Sequence, residues 1–231
     1  MRIALALLGV LAASPAHAEC ARFGLDPVIV TTAGAKLPPT GGILVRAEAT
    51  RTGGYGPGDV AVQPGWHYKG KPGKPVIATI APGLAVMRVP DGPVELLDDA
   101  GKSLIAVTGS TTTTTALPAP KVKAVEIITR DLGYRGTADN ITVALDGPIP
   151  GGMVALVLLD AKTKKPRSFG LIADATAPVT VYAVGRCKPQ PNGTLASKAG
   201  DSVAVMYVDA TGRISSPSPP VTLKTAPTPK P

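Results

Sequence analysis

Glycine and proline punctuate this chain so densely that no window of a dozen residues holds a 3.6-residue apolar period without one of them intervening. Proline fixes φ and withholds an amide proton, and glycine supplies turn dihedrals. The 26 glycines and 25 prolines therefore interrupt helices and connect short strands. An all-helical fold is excluded, and so is collagen, because the glycines have no period of three. With 44% apolar and 17% charged residues, the 231-residue chain still buries a core. The expectation is a folded, all-β protein in two parts.

Ile43 to Thr50 places Ile43, Val45, Ala47 and Ala49 on one face and Arg46, Glu48 and Thr50 on the other, the alternation of a half-buried strand. Further strands are expected at Val28–Thr31, Val76–Ile80, Leu84–Val89, Val94–Leu97 and Leu104–Thr108. Turn residues separate them at Lys36–Gly42, Gly53–Gly58, Gly70–Pro75, Pro82–Gly83, Asp91–Pro93 and Asp98–Gly101, the last of these joining a hairpin. Leu37-Pro38-Pro39-Thr40-Gly41 has the letters of a sortase signal but lies far from the C-terminus and precedes a strand, so it reads as a loop. The glycine cluster Gly53–Gly58 fails as a phosphate cradle, because Pro57 removes a donor and no helix follows.

Ser110, five threonines from Thr111 to Thr115 and Ala116-Leu117-Pro118-Ala119-Pro120 form a stiff boundary segment. Beyond it, strands are expected at Val122–Thr129, Ile141–Leu145, Met153–Leu159, Ser168–Ala173, Val179–Val184, Ser202–Val208 and Val221–Lys224. Ser202–Val208 is apolar on both faces, as a central strand is, and Asp209-Ala210-Thr211-Gly212 turns it back. Two modules of about seven short strands in about 100 residues each resemble immunoglobulin-like or fibronectin-like β-sandwiches, although the Cys, Trp and Cys spacing of true immunoglobulin domains is absent. The expected division is residues 19–109 as the first module, 110–120 as linker, 121–224 as the second module and 225–231 as an extended Pro-rich tail.

Met1 and Arg2 give a positive start, Ile3 to Ala13 is apolar, and Ala16-His17-Ala18 is a small-residue cleavage site, so residues 1–18 read as a signal peptide. The apolar run is too short to cross ~30 Å of hydrocarbon, and Pro15 ends it. The mature chain is expected in a periplasmic or extracellular compartment with no transmembrane segment. An even pair of cysteines in an exported chain favours a disulfide between Cys20 and Cys187, worth ~5 kcal/mol in the loop-entropy account. It would tie one module to the other. Neither cysteine belongs to a C-x-x-C pair, so redox catalysis and zinc binding find no support.

His17 leaves with the signal peptide, and His67 is the one histidine that remains. A hydrolase would have to use it with a carboxylate such as Asp59 or Asp91, yet no G-x-S-x-G elbow exists. No catalytic residue, metal site or cofactor is expected. Asp98 and Asp99 suit a tight turn better than a calcium site. Asn140-Ile141-Thr142 and Asn192-Gly193-Thr194 match the short N-glycosylation pattern, which matters only in a host with that machinery.

The candidate ligand loop is Trp66, His67, Tyr68, Lys69, Lys71 and Lys74, where an aromatic face and positive charge could act together. The competing reading puts Trp66 in a sandwich core with the lysines solvated. Net charge is +8, falling to +7 without Arg2, and cations gather at Lys69–Lys74, at Lys121 and Lys123, and at Lys162–Arg167. Eight aromatics (Trp, Tyr and Phe) in an exported chain argue against a nucleic-acid platform. The expected protein is a non-enzymatic binding or structural module that contacts anionic envelope polysaccharide or lipid head groups. The alternative is an accessory subunit pairing through sheet edges with an envelope protein.

Overall fold

The computed structural model describes residues 24–50, 65–112, 114–131, 137–183 and 197–227. The expected signal peptide, Cys20, Cys187, Asp59, the Gly53–Gly58 cluster and Asn192 lie outside these residues. The strands in chain order are β1 (Gly24–Ile29), β2 (Lys36–Leu37), β3 (Ile43–Thr50), β4 (His67–Tyr68), β5 (Ile77–Ala81), β6 (Leu84–Met87), β7 (Gly92–Leu97) and β8 (Ser103–Gly109). After residue 120 come β9 (Val122–Asp131), β10 (Thr137–Leu145), β11 (Met153–Asp160), β12 (Pro166–Leu171), β13 (Val179–Ala183), β14 (Ser202–Asp209), β15 (Val221–Thr222) and β16 (Lys224–Thr225). No helix occurs among the described residues, and so none is long and apolar enough to cross a membrane.

The strands form four small sheets. Sheet I has the order β2-β8-β7-β4, sheet II β1-β3-β6-β5, sheet III β12-β11-β14-β15 and sheet IV β13-β10-β9-β16. The hairpin expected at Asp98 joins β7 to β8. Asp98 Oδ1 accepts from the amides of Ala100 (3.0 Å) and Lys102 (2.8 Å), and Gly101 takes a φ of 78°, which an L side chain resists.

Three apolar layers glue the sheets into a stack. Between sheets I and II lie Leu37, Ile43, Val45, Met87, Leu96 and Val107, with Trp66 and Tyr68. Between sheets III and IV lie Ile141, Val143, Leu156, Leu158, Val203 and Val205. The third layer joins the halves, with Leu44, Leu84 and Val86 of sheet II packing on Val157, Leu159, Phe169 and Val208 of sheet III. The stack therefore runs I, II, III, IV.

Period-2 geometry explains which strands can sit in the middle. Along β11, Leu156 and Leu158 point to sheet IV while Ala155, Val157 and Leu159 point to sheet II. Along β14, Val203, Val205 and Tyr207 take the first direction, and Ala204, Met206 and Val208 the second. Strand β3 departs from the expected half-buried pattern at Leu44, which is fully buried in the third layer. Its far end keeps the expected polar face, where Arg46 and Glu48 pair at 2.9 Å.

Two polar devices complete the seam. The turn after β14 is built on the Asp209 carboxylate, which accepts from Thr211 N (2.9 Å), Thr211 Oγ1 (2.8 Å), Arg213 N (3.0 Å) and Arg213 Nε (2.7 Å). That turn docks on the loop before β3, where Gly42 N donates to Thr211 O at 2.7 Å and Thr31 Oγ1 to Ala210 O at 2.8 Å. A Cβ on Gly41 would stand 2.6 Å from Thr211 O and one on Gly42 2.2 Å from Met87 O, so the loop read from Leu37-Pro38-Pro39-Thr40-Gly41 ends in glycine for close approach. Arg213 also donates to Thr114 Oγ1 and Thr115 O, fastening the boundary segment to the same turn.

The proline-rich stretch after Ile214 follows β14 without a regular ladder. Serine hydroxyls stand in. Ser215 Oγ accepts from Tyr207 N (2.9 Å) and Ser218 Oγ from Val205 N (3.1 Å), while the serine amides donate to Tyr207 O (3.0 Å) and Val205 O (2.8 Å). The tail begins later than expected, because Thr225 belongs to β16, parallel to β9, and Ala226 N donates to Ile127 O at 2.8 Å.

Candidate functional site

The segment from Gly65 to Lys74 leaves the core through a two-residue strand and two glycine turns. β4 pairs His67 with Leu97 and Tyr68 with Leu96, which fixes the side-chain directions. Trp66 and Tyr68 are only 6% and 5% exposed. Both rings lie in the core between sheets I and II, so no aromatic face accompanies the lysines at the surface. Tyr68 donates its hydroxyl to Arg88 O at 2.9 Å, and burial pushes its pKa up to about 12.

The polar half of the segment is outside. Gly70 (φ 66°) and Gly73 (φ 90°) reverse the chain, leaving Lys69, Lys71 and Lys74 exposed. Lys69 Nζ reaches Glu95 Oε2 at 2.7 Å, and this hydrogen bond, with one to Ser103, holds the Glu95 carboxyl below its usual range. Lys71 and Lys74 make no ion pair among the described residues.

His67 Nδ1 lies 2.9 Å from Gly65 O, a partner that orients the ring locally. Its strand pairs with the far end of β7 from Asp91. Six residues at ~3.4 Å each separate Asp91 from Leu97, so His67 and Asp91 stand about 20 Å apart. They do not form a catalytic pair. Among the described residues no group of three or more His, Cys, Asp or Glu could hold a metal ion.

The second lysine cluster is the β11–β12 turn. Asp160 Oδ1 accepts from Lys162 N (3.0 Å) and Thr163 N (2.8 Å), and Lys164 takes a φ of 60°, so the turn is held open from within. Arg167 is fastened to Asp160 Oδ2, to Asp201 Oδ2 (2.9 Å) and to Ser197 Oγ (2.6 Å). The Thr163 amide and then Arg167 hold the Asp160 carboxyl well below the usual carboxylate range. Arg167 and then the Lys198 amide lower that of Asp201. Arg167 is thus spent on structure, while Lys162, Lys164 and Lys165 stay exposed and unpaired among the described residues. Lys121 and Lys123, also exposed, lie at the start of β9 in sheet IV.

Packing of sheet II on sheet III brings two of the three expected basic patches to one edge. Ala78, Thr79 and Ile80 of β5 border Lys164 and Pro166 across a cleft. Lys74 precedes Ala78 by four residues, at most ~14 Å of extended chain. Arg88 also borders this cleft and went unread in the sequence, because a lone arginine after an apolar strand carries no pattern.

Among the described residues, fold and site define an all-β arrangement of four small open sheets with exposed lysines in the β4–β5 and β11–β12 turns. No protein-family model matches the chain, and no curated protein and no solved structure matches it.

Proposed function

We propose that the chain is an exported, non-enzymatic binding or interaction protein made of two tandem immunoglobulin-like or fibronectin-like sandwiches, and that it contacts anionic envelope polymer. Strand order supports the sandwich assignment. Lettered in chain order with β2 as an added edge strand, sheets II and I read A-B-E-D and G-F-C. In the second half, β9, β10 and β13 read A, B and E, facing C′-C-F-G in sheet III. Residues 1–18 support export.

The observation that carries the binding reading is the approach of two lysine turns through β5. Lys71 and Lys74 lie in the loop leading into β5 of sheet II, and Lys162, Lys164 and Lys165 lie in the β11–β12 turn of sheet III; the two sheets share an apolar layer, and β5 and Lys164 border one cleft. A regular polyanion is attracted by such a row, and salt weakens the attraction. Cosedimentation of mature protein with isolated acidic envelope polysaccharide, at low and high salt, tests this. Binding at low salt that falls when Lys71 and Lys74 are both changed to Gln supports the reading. Binding insensitive to salt and to both substitutions overturns it.

One observation favours a protein partner as the second reading. Val76 and Ile77, at the start of edge strand β5, are 68% and 43% exposed, which suits addition of a strand. Crosslinking at position 76 that captures one discrete envelope protein, lost when Ile77 is also changed to Pro, is the expected result.

A further inference from the structure

The cleft at the seam has a chemistry of its own. About 530 Å³ in volume, it lies between residues of sheets II and III, in the size range of small-molecule sites. Most of its lining is apolar. Ala78 and Ile80 come from β5, Met206 from β14, and Ile214 from the serine-rich stretch that follows β14. Ile214 is 52% exposed, an unusual state for a large aliphatic residue bordering a concavity.

The charged residues bordering this apolar space have one sign. Arg88 and Lys164 line the cleft, no carboxylate does, and neither cation forms an ion pair among the described residues. Arg88 is preset in position, since its Nη1 donates to Thr40 O (2.6 Å) and Gly41 O (3.0 Å). Those carbonyls orient the guanidinium without neutralising it. Lys164 is carried by a backbone at φ 60° on the turn built around Asp160, whose carboxylate is already occupied by Arg167.

We propose that the seam cleft binds a small amphipathic anion, its apolar body lying on Ile80, Met206 and Ile214 and its head group meeting Arg88 and Lys164. The site goes beyond the polymer contact and requires no lysine of the 69–74 turn. A carboxylate and a phosphate share the needed chemistry. Calorimetric titration of the mature protein below the micelle threshold would compare decanoate, decyl phosphate, decanol and decyltrimethylammonium.

One-to-one binding of either anion is expected, at least ten-fold tighter than decanol, with the cation weaker still. Binding by only one of the anions identifies the head group and upholds the site. Ile214→Ser, at a half-exposed position, is expected to weaken decanoate or decyl phosphate at least five-fold. Lys164→Gln, also exposed, is expected to shrink the preference for anion over decanol while leaving decanol unchanged. Circular dichroism of both variants should match the parent. The Lys71→Gln, Lys74→Gln protein should bind the anion as the parent does, which separates failure of this site from failure of the polymer contact. No binding by either anion, equal binding by the cation, or indifference to both cleft substitutions overturns the proposal.

Discussion

Truncating Phe169 to alanine should destabilise the half of the chain to which Phe169 does not belong. Its ring is 3% exposed and lies in the layer shared by sheets II and III, on strand β12 of the second half. Removing a fully buried phenyl group costs about 3–5 kcal/mol, from lost transfer free energy and the cavity left behind. The protein supplies its own distant reporter, because Trp66 is the only tryptophan and sits in the core of the first half. If the shared layer couples the halves, urea unfolding followed by Trp66 fluorescence should report the damage. With a slope near 3 kcal/mol per M, the midpoint falls by roughly 1–2 M. Leu171→Ala is the control on the same strand, since Leu171 is 41% exposed and such changes stay within about 0.5 kcal/mol. A Trp66 transition that does not move in Phe169→Ala, while circular dichroism shows the second half melting early, would refute a cohesive seam.

Other expectations follow from single contacts. A Cβ on Gly170 would lie 2.0 Å from Thr180 O, so Gly170→Ala should force β12 from β13 and cost about 1–3 kcal/mol, read as a drop of roughly 2–4 °C in Tm per kcal/mol. Asp209→Ala removes the acceptor of four hydrogen bonds and leaves Arg213 without its carboxylate, so a loss of about 3 kcal/mol is expected in chemical denaturation. The lowered carboxyls of Asp160 and Asp201 contribute stability that is present above pH 4 and lost as pH falls through their folded values. Melting temperature should therefore decline on acidification below about pH 4, less steeply in Arg167→Gln. Absorbance at 295 nm should show Tyr68 ionising near pH 12, well after an exposed tyrosine, unless alkali has already opened the core.

Most of the strands and turns were legible in the local pattern of residues. Gly and Pro spacing removed helices, period-2 alternation marked β3, and β7, β8, β11 and β14 fell where apolar runs met turn residues, because these are local rules of backbone and side-chain direction. The local pattern missed β2 and β4, whose two residues each are too short to show a period and exist through pairing with β8 and β7. Ser202–Val208 was legible as apolar on both faces, but what covered each face was not. Only the tertiary structure placed sheet IV on one side and sheet II on the other, since burial on a face depends on residues far apart in the chain. The same distance rule hid the site. The lysines of two turns were visible as charge, while Trp66 read as core more readily than as ligand surface, and core is where it lies. The meeting of Lys164 with Arg88 and Ile214 at one cleft came from sheet packing, a contact between halves that no local pattern encodes.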